Sequence, residues 1–162
     1  MYEFEALWCG CFCAAGDGLL HVADESTLLA DLAQAAPRLI VERHFAVDEA
    51  DIPVDLKSVI MRLTQEAIAN TIHHAHAGRL RITLRLEDGR LFLAFEDDGQ
   101  GFTPAAIAAA GQRGSGHGLA GMRERVLGSG GDFRIESAIA GGTRILASWP
   151  QAMTPPGPMK AP

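Results

Sequence analysis

Gln65-Glu-Ala-Ile-Ala-Asn70-Thr-Ile-His-His74-Ala75 closes a run in which apolar residues recur with the period of a helix. Leu56, Val59, Ile60, Leu63 and Ala67 share one face, so the spacing predicts a long helix from Val54 to about Ala75 with that face in a core. At about 100° per residue, Glu66, Asn70 and His73 fall within a narrow arc beside the apolar stripe. A carboxylate, a carboxamide and an imidazole at that edge are either an ordinary solvated border or one wall of a polar site.

Downstream, Leu80-Arg-Ile-Thr-Leu-Arg-Leu86 alternates strictly, which predicts a strand with one apolar face. Asp88-Gly89 supplies a tight turn, and Leu91 to Glu96 returns as the partner strand. A glycine- and alanine-rich segment runs from Gly99 to Gly118, followed by a helix from about Leu119 to Leu127 that Gly128 ends. Phe133 to Ala138, a Gly141-Gly142 turn and Thr143 to Trp149 form a second hairpin. Upstream, Leu39 to Val47 reads as a strand. Leu28 to Ala36 reads as a short helix capped by Ser26 or Thr27 and stopped by Pro37.

The first two dozen residues show no clean period and are broken by Gly10, Gly16 and Gly18. The end carries Pro155-Pro156-Gly-Pro158 and Pro162. The expected organisation is an ill-defined arm over 1–26, one domain over 27–150 and a flexible tail over 151–162. Helices on one face of a mixed, mostly antiparallel sheet make the domain an α+β two-layer α/β sandwich.

Composition narrows the function classes. With 162 residues, 48% of them apolar and 21% charged, the chain is sized for one soluble domain. A net charge of −6 argues against nucleic acid as a partner, because neutralising a phosphate backbone takes clustered Lys and Arg. Cys9, Cys11 and Cys13 lack a fourth ligand and the usual spacing of a zinc site, so they read as reduced thiols. Tyr2-Glu-Phe-Glu5 is acidic where a signal peptide would be basic, and Ala6 to Gly16 is far short of the ~20 residues needed to span a bilayer. The expectation is a cytoplasmic chain that does not itself insert into a membrane.

Three further motifs join the helix edge. Asp97-Asp98-Gly99-Gln100-Gly101-Phe102 follows a strand, where a carboxylate can accept a hydrogen bond from an exocyclic amine. Glycines beside it let backbone approach a flat base, although the motif alone is also a plain turn. Gly114-Ser-Gly116-His-Gly118-Leu-Ala-Gly121 leads into a helix whose unpaired N–H groups and dipole suit phosphate. The spacing of Gly116, Gly118 and Gly121 mimics a dinucleotide fingerprint, but the alanine-rich Thr103 to Gly111 stands where that fingerprint needs a strand. Gly141-Gly142-Thr143 opens the last strand and by itself is an ordinary hairpin turn.

In this order the motifs resemble the N, G1 and G2 boxes and the closing Gly-Thr of the gyrase, heat-shock chaperone, histidine kinase and mismatch-repair ATPases, the Bergerat fold. Gln65-Glu-Ala-Ile-Ala-Asn70 together with Gly118-Leu-Ala-Gly-Met-Arg-Glu-Arg125-Val is similar to the catalytic domain of sensor histidine kinases of the nitrate-sensor and desaturase-regulator group. The likeness covers about Leu28 to Pro150. It implies ATP and Mg²⁺ as cofactors, with Asn70 holding the metal across the phosphates and Glu66 acting as, or positioning, a general base. It implies Asp97 on the adenine amine, Thr143 supporting that contact, and Gly99, Gly101 and Phe102 around the base. His73 and His74 fall beside the phosphates. Gly116, His117, Gly118 and Leu119 follow a mobile lid, Phe102 to Ser115, and supply phosphate-binding amides.

The chain departs from the pattern in two places. His73 stands where a lysine is frequent, and an imidazole is the weaker cation at neutral pH. Asp98 stands where asparagine is frequent and adds negative charge. The resemblance also implies partners: a dimerisation domain bearing the acceptor histidine and, through it, a response regulator. About 26 residues precede the domain, too few for two long antiparallel helices at about 1.5 Å per residue. The histidine is therefore expected elsewhere, and the isolated chain is expected to be monomeric and not to label itself. His73, His74 and His76 diverge on a helix and suit no metal. A serine kinase that restrains a sigma factor, and a nucleotide-binding regulatory module without phosphotransfer, remain the alternatives.

Overall fold

The computed structural model describes residues 16–21, 39–103, 105 and 117–151. The expected helix over 28–36, the three cysteines, the tail beyond Gln151 and nearly all of the expected lid lie outside the described residues.

Alternation places Leu80, Ile82 and Leu84 on one side of β3 (Arg79–Glu87), and all three are buried. β4 (Arg90–Asp97) returns antiparallel, setting Phe95 opposite Ile82 and Leu93 opposite Leu84. The connecting turn needs positive φ at both central residues, and Asp88 and Gly89 adopt 49° and 71°. β6 (Thr143–Pro150) continues the apolar face with Ile145, Ala147 and Trp149, and β5 (Asp132–Ser137) closes that edge. On the other side β2 (Ile40–Ala46) lies parallel to β3. The parallel step requires a crossover, which α1 (Val54–Asn70) provides across the apolar face.

The sheet has six strands in the order β1-β2-β3-β4-β6-β5. Its outer strand β1 (Gly16–His21) pairs antiparallel with β2. This strand lies within the stretch expected to be an ill-defined arm. Gly16 and Gly18 remove two side chains from the alternation, so no period-two signal is left to read.

Leu56, Ile60, Met61, Leu63, Ala67 and Ile68 of α1 seat on the sheet, joined by Met122 and Val126 of α2 (His117–Gly128). Two hydroxyls are buried on α1's line and remain satisfied: Thr64 donates to the Ile60 carbonyl and Thr71 to that of Ala67, both at 2.9 Å. The opposite sheet face is polar. Glu42 takes Arg79 at 2.7 Å and Arg81 at 3.0 Å, Glu96 takes Arg144 at 3.0 Å, and the Arg85 guanidinium lies 5.3 Å from the Phe92 ring centre. Solvent-facing pairs of this kind contribute little apiece, so burial on the helical face carries the fold.

The β5–β6 turn contains Ala140 at φ 58°, a left-handed conformation that a Cβ disfavours. Its N–H donates to the Gln100 carbonyl at 2.7 Å, which holds it there. Ala140→Gly is expected to raise stability by about 0.5–1 kcal/mol, the relieved strain exceeding the added chain entropy. Chemical denaturation that found the variant equal or weaker would show the turn to be unstrained.

Candidate functional site

The site lies where α1, the β4–β5 connection and the β5–β6 turn meet. α1 does not stop at Asn70. It widens into one π-helical turn, Thr71–Ala75, and ends at His76 with φ 52°. The last carbonyls of a helix have no partner within it, and here the loop after β4 takes them up. Gln100 donates its backbone N–H to the Ala75 carbonyl at 2.8 Å and its side-chain amide to the His74 carbonyl at 2.7 Å. His73 and His74 are exposed on this turn, their rings edge to face with centres 6.3 Å apart.

The far side of the same loop is sewn to the β5–β6 turn. Gly142 donates to the Gly99 carbonyl at 3.1 Å, and Phe102 donates its N–H to the Ser137 hydroxyl at 3.0 Å. Held between two backbones, the loop has no room for side chains at its glycines. A Cβ on Gly99 would lie 2.7 Å from that of Ala75, and one on Gly101, at φ 60°, would lie 2.8 Å from the Gly142 oxygen. The close approach at both glycines is thus to protein backbone.

Asp97, the last residue of β4, is half-buried. Its Oδ1 accepts the Gly99 N–H at 2.9 Å and the Thr143 N–H at 3.2 Å. Burial raises its pKa above the ordinary aspartate value and the nearby Asp98 charge adds to that, while the hydrogen bonds from Gly99 and Thr143 pull the other way. Asp98 turns its own carboxylate aside. Its Oδ1 accepts the Gly78 and Arg79 N–H groups, both at 2.9 Å, and pins the entry to β3.

Earlier along α1, Glu66 and Asn70 meet the first turn of α2. A Cβ on Gly118 would collide with the Glu66 carboxylate and come within 3.3 Å of the Asn70 amide oxygen. The Asn70 amide nitrogen is buried without a hydrogen-bond partner, a costly state for a polar group unless a ligand meets it. Leu119 packs against the core beside them. Of the other expected phosphate-binding positions, Gly116 and the His117 side chain lie outside the described residues.

The structure therefore brings Glu66, Asn70 and Gly118 into one cluster and Asp97, Gly99, Gly101, Phe102 and Thr143 into another. Gly118→Ala is expected to displace the flexible end of Glu66 at small cost in stability, because only a side chain must move, yet to disrupt the cluster. A melting temperature lowered by more than about 3 °C, roughly 1 kcal/mol in a chain this size, would show instead that Gly118 is needed for folding.

Two contributors escaped the sequence reading. Ser137 joins Phe102 to the Thr143 strand, and its only signal is a serine placed just before a turn. Ala75 supplies the carbonyl that fixes Gln100, a role that leaves no trace in side-chain chemistry.

Residues 56–153 match the family described as histidine kinase-, DNA gyrase B- and HSP90-like ATPase. The chain is 32% identical over 125 residues to the signal transduction histidine-protein kinase/phosphatase UhpB of Salmonella typhimurium, spanning 77% of this chain and 23% of that protein. It is 32% identical over 123 residues to the sensor protein VraS of Staphylococcus aureus, spanning 76% of this chain and 33% of that one. The chain thus spans about a quarter to a third of these relatives' lengths. Among solved structures, the mycobacterial sensor histidine kinase MprB superposes with a TM-score of 0.56 at 22% identity, covering 86% of this chain and all of that one. Full-length ShkA in complex with AMPPNP superposes at 0.57 with 21% identity, covering 77% of this chain and 29% of that chain. The described residues hold no helix long and apolar enough to cross a membrane. Its sequence match, together with the α+β sandwich and the two residue clusters, makes this chain a member of the histidine kinase-, gyrase B- and HSP90-like ATPase family.

Proposed function

We propose that the chain binds Mg-ATP between its two residue clusters and serves as the catalytic domain of a sensor histidine kinase. In this reading the γ-phosphoryl group passes to a histidine on a dimerisation domain and from there to a response regulator. The observation that carries the reading is the buried, unpartnered Asn70 amide beside Glu66 and Gly118. A half-turn of that amide exchanges nitrogen for oxygen, so Asn70 can offer the hard oxygen ligand that Mg²⁺ takes. The AMPPNP bound in ShkA, a structural neighbour, is in keeping with the same ligand class.

Each residue then has a task. Asp97 accepts a hydrogen bond from the adenine amine, and Thr143 supports it. Gly99, Gly101 and Phe102 form the base-side wall. The first-turn amides of α2 at Gly118 and Leu119, with no partners within the helix, face the phosphates, and His73 and His74 border them. Bound Mg²⁺ supplies charge neutralisation across the phosphates. Glu66 accepts the proton of the incoming imidazole as its other nitrogen attacks the γ-phosphorus and ADP leaves. The subgroup suggested by Gln65-Glu-Ala-Ile-Ala-Asn70 together with Gly118-Leu-Ala-Gly-Met-Arg-Glu-Arg125-Val, that of the nitrate-sensor and desaturase-regulator kinases, belongs to the same proposal.

Incubating the chain with γ-labelled ATP and a separate histidine-bearing dimerisation domain tests it. Acid-labile label on the added domain is the expected result. Acid-stable label would point to a serine kinase, and nucleotide binding without any label to a regulatory module.

A further inference from the structure

Gln100 stands exposed between Gly99 and Gly101 and bonds in two directions. Its carbonyl accepts the Ala140 N–H at 2.7 Å, which ties it to the β5–β6 turn. Its N–H and its side-chain amide donate to the Ala75 and His74 carbonyls at 2.8 and 2.7 Å. Both of those carbonyls belong to the π-helical turn Thr71–Ala75. A π turn bonds residue i to i+5 where an α-helix bonds i to i+4, so it holds one residue more, and it is rare because the tighter register is the favoured one. What keeps the wider register is contact from outside the helix. Gln100 grips two consecutive carbonyls of the turn, and Ala75 is buried against Gly99 so closely that a Cβ on the glycine would lie 2.7 Å from its own. The turn also carries His73 and His74, both exposed, with ring centres 6.3 Å apart. Side chains step about 100° per residue around a helix, so a slip from the π to the α register would redirect both imidazoles.

We propose that Gln100 is a positioning residue whose side-chain amide clamps this turn in the π register and so sets where His73 and His74 stand beside the phosphates of a nucleotide. The phosphates rest on the nucleotide-binding reading above; the clamp does not. Because the same residue is tied to Ala140, the imidazoles are fixed relative to the loop on the base side. The backbone bond to Ala75 is open to any residue here but proline, so substitution isolates the side-chain amide.

Two measurements on the full chain test this with Gln100→Met, which keeps the length of the side chain and removes its donor. The first is amide hydrogen exchange, with backbone carbon shifts, in the absence of nucleotide. Exchange across Thr71–Ala75 is expected to quicken about three- to tenfold, the worth of one hydrogen bond, and the carbon shifts there to move while those of Asp97 stay. Unchanged exchange and shifts in that turn would overturn the clamp whatever the chain binds. The second is affinity for Mg-ATP and for adenosine, which has no phosphates. Gln100→Met is expected to weaken Mg-ATP about three- to tenfold and adenosine much less. With His73 and His74 both replaced by alanine, the same substitution should cost Mg-ATP less than about twofold, because the groups it positions are gone. Equal losses for ATP and adenosine, no loss for ATP, or a loss that persists without the histidines would overturn the positioning role. If the turn loosens but the parent binds no ATP, the clamp stands and the nucleotide reading falls.

Discussion

Replacing Asp97 by asparagine is expected to lower ATP affinity by about 1.5–3 kcal/mol, the worth of a charge-assisted hydrogen bond, while leaving the fold at least as stable. The two effects separate because they rest on different atoms. The asparagine oxygen can still accept the Gly99 and Thr143 N–H groups, so the loop stays tied. What disappears is a negative charge that burial and Asp98 make costly. A carboxyl whose folded pKa is raised binds its proton more readily folded than unfolded. It therefore adds stability as pH falls through the folded pKa and withholds it above. At neutral pH the variant escapes that penalty. Binding shows the opposite dependence: an amine donor needs the ionised carboxylate, so parental ATP affinity should fall as pH approaches the raised pKa. Measuring the ratio of parent to variant affinity cancels the titration of ATP itself. A ratio independent of pH, or an unchanged affinity in the folded variant, would remove Asp97 from the base contact.

The second large effect is expected at Asn70. Asn70→Ala should weaken Mg-ATP by about tenfold or more, and metal-free ATP much less, because the ion takes only one or two protein oxygens and this is the proposed one. Stability should hold or improve, since the substitution deletes a buried amide nitrogen that has no partner. Titrations with and without Mg²⁺ check both. Equal losses in the two series, with a lowered melting temperature, would make Asn70 a structural residue.

The pattern of what could be read in advance follows from which signals are periodic. The α1 face and the β3–β4 hairpin were plain because their apolar residues repeat and Asp88-Gly89 marks the turn. Five of the sheet's six strands were expected, and the parallel step between β2 and β3 follows from the α1 crossover. Strand β1 was hidden by glycines that interrupt its alternation. The expectation for Glu66, Asn70 and Asp97 came from the order of the motifs, since a polar helix edge or a turn after a strand is by itself an ordinary solvated surface. Ser137 was not legible, since its part depends on a register that brings β5 alongside Thr143. Asp98 looked like surplus charge near a ligand, whereas its carboxylate anchors Gly78 and Arg79. Backbone groups such as the Ala75 carbonyl leave no mark in the sequence at all.

The stitching of the Gly99–Phe102 loop to the β5–β6 turn bears on how the chain acquires its site. The bonds concerned join partners far apart in sequence, 46 positions for Asp97 with Thr143 and 35 for Phe102 with Ser137. Contacts of such separation form only after the intervening chain has been brought round, and loop closure must be completed before they repay it. The β3–β4 hairpin, with its local turn, can assemble early, but Asp97 at its end gains its cradle only when β6 docks alongside β4. During synthesis, a nascent chain that has not yet emerged as far as Thr143 would carry an Asp97 with no Thr143 to hold it.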